Sequence, residues 1–397
     1  MAGRIHVAVF DLVTSVGGVQ KVMAAALPGL ARSMDVTVID LYANAEYREL
    51  MGRAGLPVIS LGPAPERKYI GGKGTAGRAW RVLKRVPWLA ARMIRLRRWV
   101  REARPDIVYF NQKPSALWFG RVVPRSAGLV YHCHGFGSAA EVGRTFARLL
   151  RRRFDRVLAV SKITARFLAE AGLGPDQIAV VYNAVDVEGL QQQAAQPGPD
   201  MPQRRAGEVV FVHVAAIAPH KGQDIAIRAL SKLPAGAGAQ LWFCGDVGQG
   251  GDRQYLDDLK RLVDEQGLAE RVHFLGWRED VPRLMEAADV CILPSRYHHE
   301  SFGMVLAEAM ALGKPCIGSR RGGIPEVIEV GVTGLLCEPD TESLASAMRK
   351  MVESEVLRAS MGAAGRRRVE EVFNLGRQSD EIREVVRFVI GAARRET

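Results

Sequence analysis

Short apolar blocks alternate with segments of helical period along nearly all of the 397 residues. The first block, 4–10 (RIHVAVF), has the continuous apolar character of a buried strand, and a helical pattern follows over about 19–33. Strands are predicted at 35–40, 57–61, 106–110, 128–134, 155–160 and 178–181, with helical segments between them. Periodicity is lost over 186–207 (DVEGLQQQAAQPGPDMPQRRAG), where Pro, Gly and Gln gather as in a linker. A second alternation starts at Glu208: strand 208–214, helix 223–233, strand 239–244, helix 253–266, strand 271–275, helix 280–288 and strand 290–293. The tail after Arg377 has an amphipathic helical pattern. Two successive β-α alternations predict an α/β chain with two open parallel sheets, two Rossmann-like lobes facing each other across a cleft. The expected division is a first lobe over 1–190, a linker over 191–207, a second lobe over 208–375 and a final helix over 376–397.

The stretch from Leu293 to Gly323 (LPSRYHHESFGMVLAEAMALGKPCIGSRRGG) concentrates the candidate chemistry. It reads as strand, loop and helix, the helix starting near Gly303 and stopping at Gly313 with Pro315 beyond. The first N–H groups of such a helix suit an anion. Glu300 precedes that end and Glu308 lies inside the helix, seven residues separating them. A rise of 1.5 Å per residue puts Glu308 about 7.5 Å beyond Gly303. Two carboxylates so spaced cannot hold one small group, but can grip two hydroxyl-bearing parts of a ligand with an anionic middle. A nucleotide-diphospho-sugar has that shape. The pair alone is equally what an amphipathic helix with solvated glutamates would show.

Composition narrows the setting. The chain is 48% apolar and 25% charged, ordinary for a globular protein, and no apolar run approaches the roughly 20 residues of a membrane span. The start, MAGRIHVAVFDLV, lacks signal-peptide features, and the five scattered cysteines (133, 244, 291, 316, 337) suit reduced, buried thiols. A cytoplasmic protein is expected. Its charge is uneven: residues 1–190 hold 29 Lys+Arg and 14 Asp+Glu, a net +15, and the remainder is −3, which sums to +12. Residues 67–104 carry 13 Lys+Arg against one acid, Glu102, with Trp80, Trp88 and Trp99 interleaved. Pro87 is expected to divide this stretch. Beyond it, Leu89, Met93, Leu96 and Val100 form a stripe that packs on the sheet; before it, Lys68–Arg85 is the better candidate for docking on anionic lipid. Arg144–Arg156 adds a second basic run. No zinc finger, aromatic RNA-binding motif or basic zipper accompanies the charge, so a membrane partner is expected and a nucleic acid is not.

Further candidates lie at strand ends. Gly17 and Gly18 stand at a strand-to-helix turn where backbone can approach a phosphate, although a simple tight turn uses the same residues. Lys221, in the Pro219–Gly222 loop, is placed as a counter-charge for a diphosphate. His132 and His134 alternate onto one face. Neither they nor His298, His299 and Glu300 offer a matching metal-ligand set, and there is no Asp-x-Asp. No metal is expected.

Together these pieces resemble glycosyltransferase family 4 on the GT-B fold, over nearly the whole chain. The segment FLGWREDVPRLMEAADVCILPSRYHHESFGMVLAEAMALGKPCIGSRRGGIPEVIEVGVTGLLCEP carries the resemblance most specifically, with the Glu–seven–Glu spacing, GGIPEVI and TGLL in the family's order. The resemblance implies that Glu300 binds hydroxyls of the transferred sugar and Glu308 the ribose, and that Phe302, Gly303, Met304 and Val305 line the sugar and diphosphate with backbone N–H groups. Lys221 would neutralise the leaving diphosphate, Gly18 would let the first lobe close on it, His134 would sit beside the reacting carbon, and Trp277 would meet the base. Asn183 would shape the hinge, and the tail helix would cross back to the first lobe. Where relatives commonly carry Arg ahead of the Pro-x-Lys-Gly run, this chain has Ala216, so that Lys221 acts alone, another Arg such as Arg320 or Arg321 substitutes, or donor binding is weaker. The implied activity is a metal-independent, retaining glycosyltransferase without a cofactor, moving a hexose-type sugar from a UDP- or GDP-sugar to a lipid-linked or polysaccharide acceptor in bacterial cell-envelope glycan synthesis, peripheral on the inner membrane face. The alternatives are a non-hydrolysing nucleotide-sugar epimerase on the same fold and a non-catalytic sugar-nucleotide-binding protein.

Overall fold

A computed structural model describes residues 4–13, 16–62, 75–234, 236–248, 253–297 and 300–393, with side chains left undescribed over 75–85 and at 393. The chain divides into two compact units. One runs up to Tyr182 and resumes at Leu375; the other is Asn183–Asn374.

The first unit contains β1 (His6–Asp11), α1 (Gly18–Ala31), β2 (Asp35–Asp40), α2 (Ala45–Arg53), β3 (Val58–Ser60), α3 (Thr75–Ala103), β4 (Ile107–Phe110), α4 (Lys113–Phe119), β5 (Gly128–Cys133), α5 (Ala139–Val142), α6 (Arg144–Arg153), β6 (Arg156–Ala159), α7 (Lys162–Glu170) and β7 (Ile178–Val180). The strands form one parallel sheet in the order β3-β2-β1-β4-β5-β6-β7. Its central strands are largely apolar because both faces are covered. Phe10, Phe110 and Tyr131 face one side with Leu96 and Val100 of α3 and Phe146 and Leu150 of α6. Val9, Tyr109 and Leu158 face the other, under Met23, Leu27 and Leu30 of α1.

The second unit contains α8 (Val187–Ala194), β8 (Val209–Val214), α9 (Gln223–Ser231), β9 (Ala239–Cys244), α10 (Arg253–Glu265), β10 (Val272–Phe274), α11 (Val281–Ala287), β11 (Val290–Leu293), α12 (Met304–Ala311), β12 (Cys316–Ser319), α13 (Ile324–Val327), β13 (Gly334–Cys337), α14 (Thr341–Glu353) and α15 (Glu355–Val372). Its parallel sheet has the order β10-β9-β8-β11-β12-β13. The last helix, α16 (Leu375–Ala393), belongs to the first unit. There Ile382, Val386 and Val389 share the α1 side of the core, and the Ser379 hydroxyl donates to the Ala26 carbonyl at 3.1 Å.

Three sequence expectations need correction. The division falls after Tyr182 and Asn374, not at 190 and 375, so residues 183–190 belong to the second unit. The segment read as a linker from 186 begins with α8, whose Asp186 side chain caps it by accepting from Gly189 N at 3.0 Å. No residue of α8 is fully buried, so its sequence carries little apolar signal. Third, Pro87 does not divide the basic stretch: α3 runs through it from Thr75 to Ala103. Proline removes one N–H from the ladder, and the stripe of Leu96 and Val100 packed on the sheet outweighs that loss. Asn183, expected at the hinge, is buried as the first residue of the second unit.

One feature of the first sheet interrupts its apolar character. Register pairs Asp11 with Asp40, Phe10 with Phe110 and Phe110 with Tyr131. Asp40, Asp11, Asn111 and His132 therefore form a row across the four neighbouring strands β2, β1, β4 and β5 at the carboxyl edge, all of them buried. Asp40 accepts from the N–H groups of Tyr42 at 2.9 Å and Asn44 at 2.6 Å. Asp11 accepts from the Tyr47 hydroxyl and from Asn111 Nδ2 at 3.3 Å. Burial pushes the Asp11 carboxyl up to about 6, with the hydrogen bonds from Tyr47 and Asn111 opposing and the charge of Asp40 adding to the rise.

Two stability outcomes follow from this packing. Ile382→Ala should cost about 2–5 kcal/mol in urea denaturation, because the methylenes removed leave a cavity between α16 and α1; a loss below 0.5 kcal/mol would mean that α16 is not seated there. For Asp11 the folded state holds its proton more tightly than the unfolded chain, so its contribution to stability is present at about pH 4 and lost as pH rises through about 6. The stability of the natural chain relative to Asp11→Asn should therefore fall between pH 4 and pH 7, by about 3 kcal/mol in the limit of the full shift. A difference independent of pH would show that Asp11 is ionised normally.

Candidate functional site

The second sheet reverses its order between β8 and β11, and ligands of open parallel sheets bind outside the carboxyl ends at such a reversal. The loops leaving these two strands carry Lys221 and Glu300. After β8 the chain enters a single 3-10 turn, Pro219–Lys221, and Gly222 starts α9 in the left-handed region at φ 76°. A Cβ at Gly222 would stand 2.3 Å from the Pro294 carbonyl oxygen, so glycine is required both by conformation and by the close approach of the β11 loop. Gly245, at φ 140°, plays the same part for the loop after β9, where a Cβ would lie 2.0 Å from the Ala215 oxygen.

Across this contact Lys221 Nζ forms an ion pair with Glu300 Oε1, the two side chains being 22% and 14% exposed. The same carboxylate oxygen accepts from Ser295 Oγ at 2.9 Å. Both loops are braced. His213, buried in β8, donates from Nε2 to the Lys221 carbonyl at 3.1 Å; burial pushes its imidazole down to about 4, so it does this as a neutral ring. Arg296 donates to the Pro219 carbonyl at 2.6 Å and, through its backbone N–H, sits 2.9 Å from the His220 carbonyl. Its guanidinium meets Asp224 with two parallel bonds of 2.7 and 2.5 Å. Tyr255 adds a third bond to Asp224 at 2.9 Å, and the Asp224 carboxyl is held below its ordinary value by these hydrogen bonds despite burial. Ser319 Oγ reaches the Ser295 carbonyl at 2.7 Å and Gly323 N the Glu300 carbonyl at 2.7 Å, which ties the loop after β12 to the same place.

Gly303 begins α12 in the left-handed region at φ 98°. Within α12, Met304, Val305 and Glu308 alone are not fully buried. They share one face, with Glu308 one turn after Met304. The Phe302 side chain is buried edge-on against Phe373 at 5.2 Å, so only its backbone is placed to meet a ligand. Trp277 stands apart from these residues. It is 73% exposed in the loop after β10, two strands from β8, beside an Arg278–Asp280 pair with bonds of 2.7 Å. Arg321 is paired with Glu338 at 3.0 Å and Arg320 lies 4.0 Å from the same residue, so both cations expected to replace the one missing at Ala216 are engaged there. The Ala216 carbonyl accepts from buried Gln223 at 2.9 Å.

In the first unit Gly17 caps α1, and the Gln20 side chain closes back on its N–H at 3.0 Å. A Cβ at Gly18 would meet nothing within 4 Å. The fold of this unit therefore does not itself require glycine there. His134 follows β5, two strands from β1. Its ring lies 4.1 Å from that of His132, which is fixed by a 2.8 Å hydrogen bond with the Tyr109 hydroxyl. Burial pushes the His134 imidazole down to about 3 and His132 lower than its ordinary value, so both rings are neutral. Among the described residues no group of three His, Cys, Asp or Glu is placed to hold a metal ion; His298 and His299 lie outside them, as does the basic segment 63–74.

His213, Asp224, Tyr255, Arg296 and Gly245 were not legible as site residues in the sequence. Asp224 and Arg296 are 72 positions apart, and no periodicity links them. The signal available was the Gly-Asp pair at 245–246, placed directly after an apolar strand.

Comparison with known proteins gives matches over both units. A family described as Glycosyltransferase Family 4 matches residues 16–188, and one described as Glycosyl transferases group 1 matches 200–368. The chain is 36% identical over 167 residues to N-acetyl-alpha-D-glucosaminyl L-malate synthase of Bacillus anthracis, covering 42% of each. It is 36% identical over 194 residues to D-inositol 3-phosphate glycosyltransferase of Mycobacterium marinum, which is 48% of this chain and 39% of that one. The matched region thus spans only about two-fifths of these relatives' length. Anabaena Alr3699/HepE, solved in complex with UDP, superposes over 96% of this chain and 99% of its own with a TM-score of 0.79 at 23% identity. WaaG, a glycosyltransferase involved in lipopolysaccharide biosynthesis, superposes over 95% and 99% with a TM-score of 0.62 at 18% identity. Two parallel-sheet Rossmann-like units with these neighbours are the GT-B architecture. The two matches between them take in both units, and the chain belongs to glycosyltransferase family 4.

Proposed function

We infer that this chain is a glycosyltransferase that takes a sugar from a nucleotide-diphospho-sugar, and that Lys221, Glu300 and the half-buried face of α12 hold that donor. The observation that carries this reading is the meeting of Lys221 and Glu300 at the reversal of the second sheet, on loops braced from both sides. Two charges that neutralise each other there are a poised pair. Donor binding separates them, Lys221 turning to the diphosphate and Glu300 to hydroxyls of the sugar. Glu308 takes the ribose, and the N–H groups at the start of α12 face the phosphates. The Anabaena protein's complexes with UDP and with UDP-glucose favour a uridine donor. Freedom from packing demands at Gly18 is consistent with a backbone that approaches a phosphate.

In the transfer step the bond between the sugar's C1 and the diphosphate oxygen breaks while the acceptor oxygen bonds to C1 on the same face, which retains configuration. The acceptor's proton passes to the departing phosphate oxygen. Lys221 and the α12 N–H groups stabilise the charge that grows on that oxygen. No metal takes part. The acceptor is lipid-linked or a glycan, in cell-envelope synthesis.

Lys221→Ala should lower kcat 10²–10³-fold, about 2.7–4 kcal/mol of barrier, and Glu300→Gln should lower it at least tenfold. Release of UDP from a panel of UDP-sugars checks both, and wild-type rates in either variant would overturn the assignment. Exchange at sugar C2 without acceptor would instead identify an epimerase, and wild-type protein that binds UDP-sugars but never turns them over would be a binding protein.

Membrane docking is proposed for the basic first unit. The described part of α3 exposes Arg95, Arg97, Arg98 and Arg101 beside Ile94, which is 69% exposed, and no described helix is long and apolar enough to cross a membrane. Cations flanking an apolar side chain suit an anionic interface. Co-sedimentation with vesicles should require anionic lipid and fall steeply as salt rises past 0.15 M, where screening acts within about 8 Å. Equal binding to neutral vesicles, or none at low salt, would reject it.

A further inference from the structure

The first sheet also reverses its order, between β1 and β4. The residues at the carboxyl edge on either side of that reversal are Asp11 and Asn111, 0% and 3% exposed. Their hydrogen bonding is one-sided. Asp11 Oδ2 accepts from both Tyr47 and Asn111, whereas Asp11 Oδ1 and Asn111 Oδ1 meet no donor. The bond from Asn111 Nδ2 fixes the amide, so the atom it leaves over is the oxygen. Two neighbouring strands thus end in oxygens that, with Asp11 ionised, accept and do not donate. Shielded from water, such atoms are costly until a donor reaches them. Elsewhere in the row Asp40 takes two backbone N–H groups and His132 Nδ1 meets the Tyr109 hydroxyl, while His132 Nε2 has no partner either.

The charge of the row selects the donor. Phosphate oxygens only accept, and Asp11 and Asp40 side by side repel them. A sugar or cyclitol hydroxyl donates without carrying charge, and adjacent hydroxyls match adjacent oxygens. We propose that Asp11 and Asn111 form a recognition site for neighbouring hydroxyl groups of the acceptor, so that the part of the acceptor entering the first unit is a neutral polyol and not a phosphate. The proposal rests on the glycosyl-transfer reading above and adds the chemical class of the second substrate. A site built to hydrogen-bond a hydroxyl discriminates strongly against an analogue lacking it.

Saturation-transfer NMR on the full chain tests this, with methyl α-D-glucopyranoside and myo-inositol as probes and saturating UDP to occupy the donor site. Both probes should bind with UDP present, and 1,5-anhydro-type analogues lacking two adjacent hydroxyls should bind at least tenfold more weakly. Asp11→Asn and Asn111→Leu should each weaken the polyols at least tenfold while UDP affinity changes less than twofold. Asn111→Leu leaves the Tyr47–Asp11 bond in place and keeps the test decisive if the other variant folds poorly. Polyol binding unchanged in both variants, or absent from the natural chain, would overturn the proposal, as would binding of inorganic phosphate at the same place. Failure of UDP to bind would count against the donor reading alone, since the polyol measurements repeated without UDP still decide the role of Asp11 and Asn111.

Discussion

The mutual neutralisation of Lys221 and Glu300 is the constraint on which the second unit's site depends. Both side chains are largely withdrawn from water, and an unpaired charge in that position would be costly. The pair is therefore held by its surroundings as much as by attraction. Gly222 admits the β11 loop, His213 grips the Lys221 carbonyl, and the Arg296–Asp224–Tyr255 group pins the 3-10 turn to that loop. Because the bracing is done by backbone carbonyls and by residues other than the pair, Lys221 and Glu300 can be parted by a ligand without loosening the loops that present them.

The two sheets treat the same topological feature differently. At the reversal of the second sheet a cation and an anion meet, and the helix that follows adds the polarity of its first turn. At the reversal of the first sheet the Asp11 carboxylate takes the Tyr47 hydroxyl and the Asn111 amide N–H on one oxygen, and Asp11 Oδ1 and Asn111 Oδ1 are left without a donor. The former suits a ligand with separated charge and hydroxyls; the latter suits uncharged donors. One architecture thus supports distinct chemistries through the residue placed one step beyond each strand.

The legible parts of this chain were those written in local periodicity. Strands such as Ala239–Cys244 and Val209–Val214 are apolar but for Gln240 and His213 because both faces are covered. Lys221, Glu300 and Glu308 could be singled out as candidates because each lies just after a strand or in the helix that follows one. What was illegible depends on contacts distant in sequence. The clamp of Arg296 on Asp224, the seat of His213 under Lys221 and the meeting of Asp11 with Asn111, 100 positions apart, leave no local pattern. The helix at Val187–Ala194 was missed for a different reason: its packing buries no residue fully, so glutamines serve it as well as leucines would. Pro87 misled because the cost of a proline is local and fixed, whereas the packing that offsets it comes from the sheet.

The return of α16 to the first unit has a consequence for how the chain is made. Arg383 donates to Ser33 across 350 positions at 2.9 Å, and the α1 side of the core is closed by Ile382 and Val386. A ribosome adding 5–20 residues per second needs on the order of 10–40 s to travel from the end of the first β-α series to the end of this helix. During that interval the apolar faces of Leu27 and Leu30 await their cover, while Asn183–Asn374 emerges as a complete unit. The half that is translated first is thus the half that finishes folding last, and its exposed flank in that window is where a chaperone would have most to do.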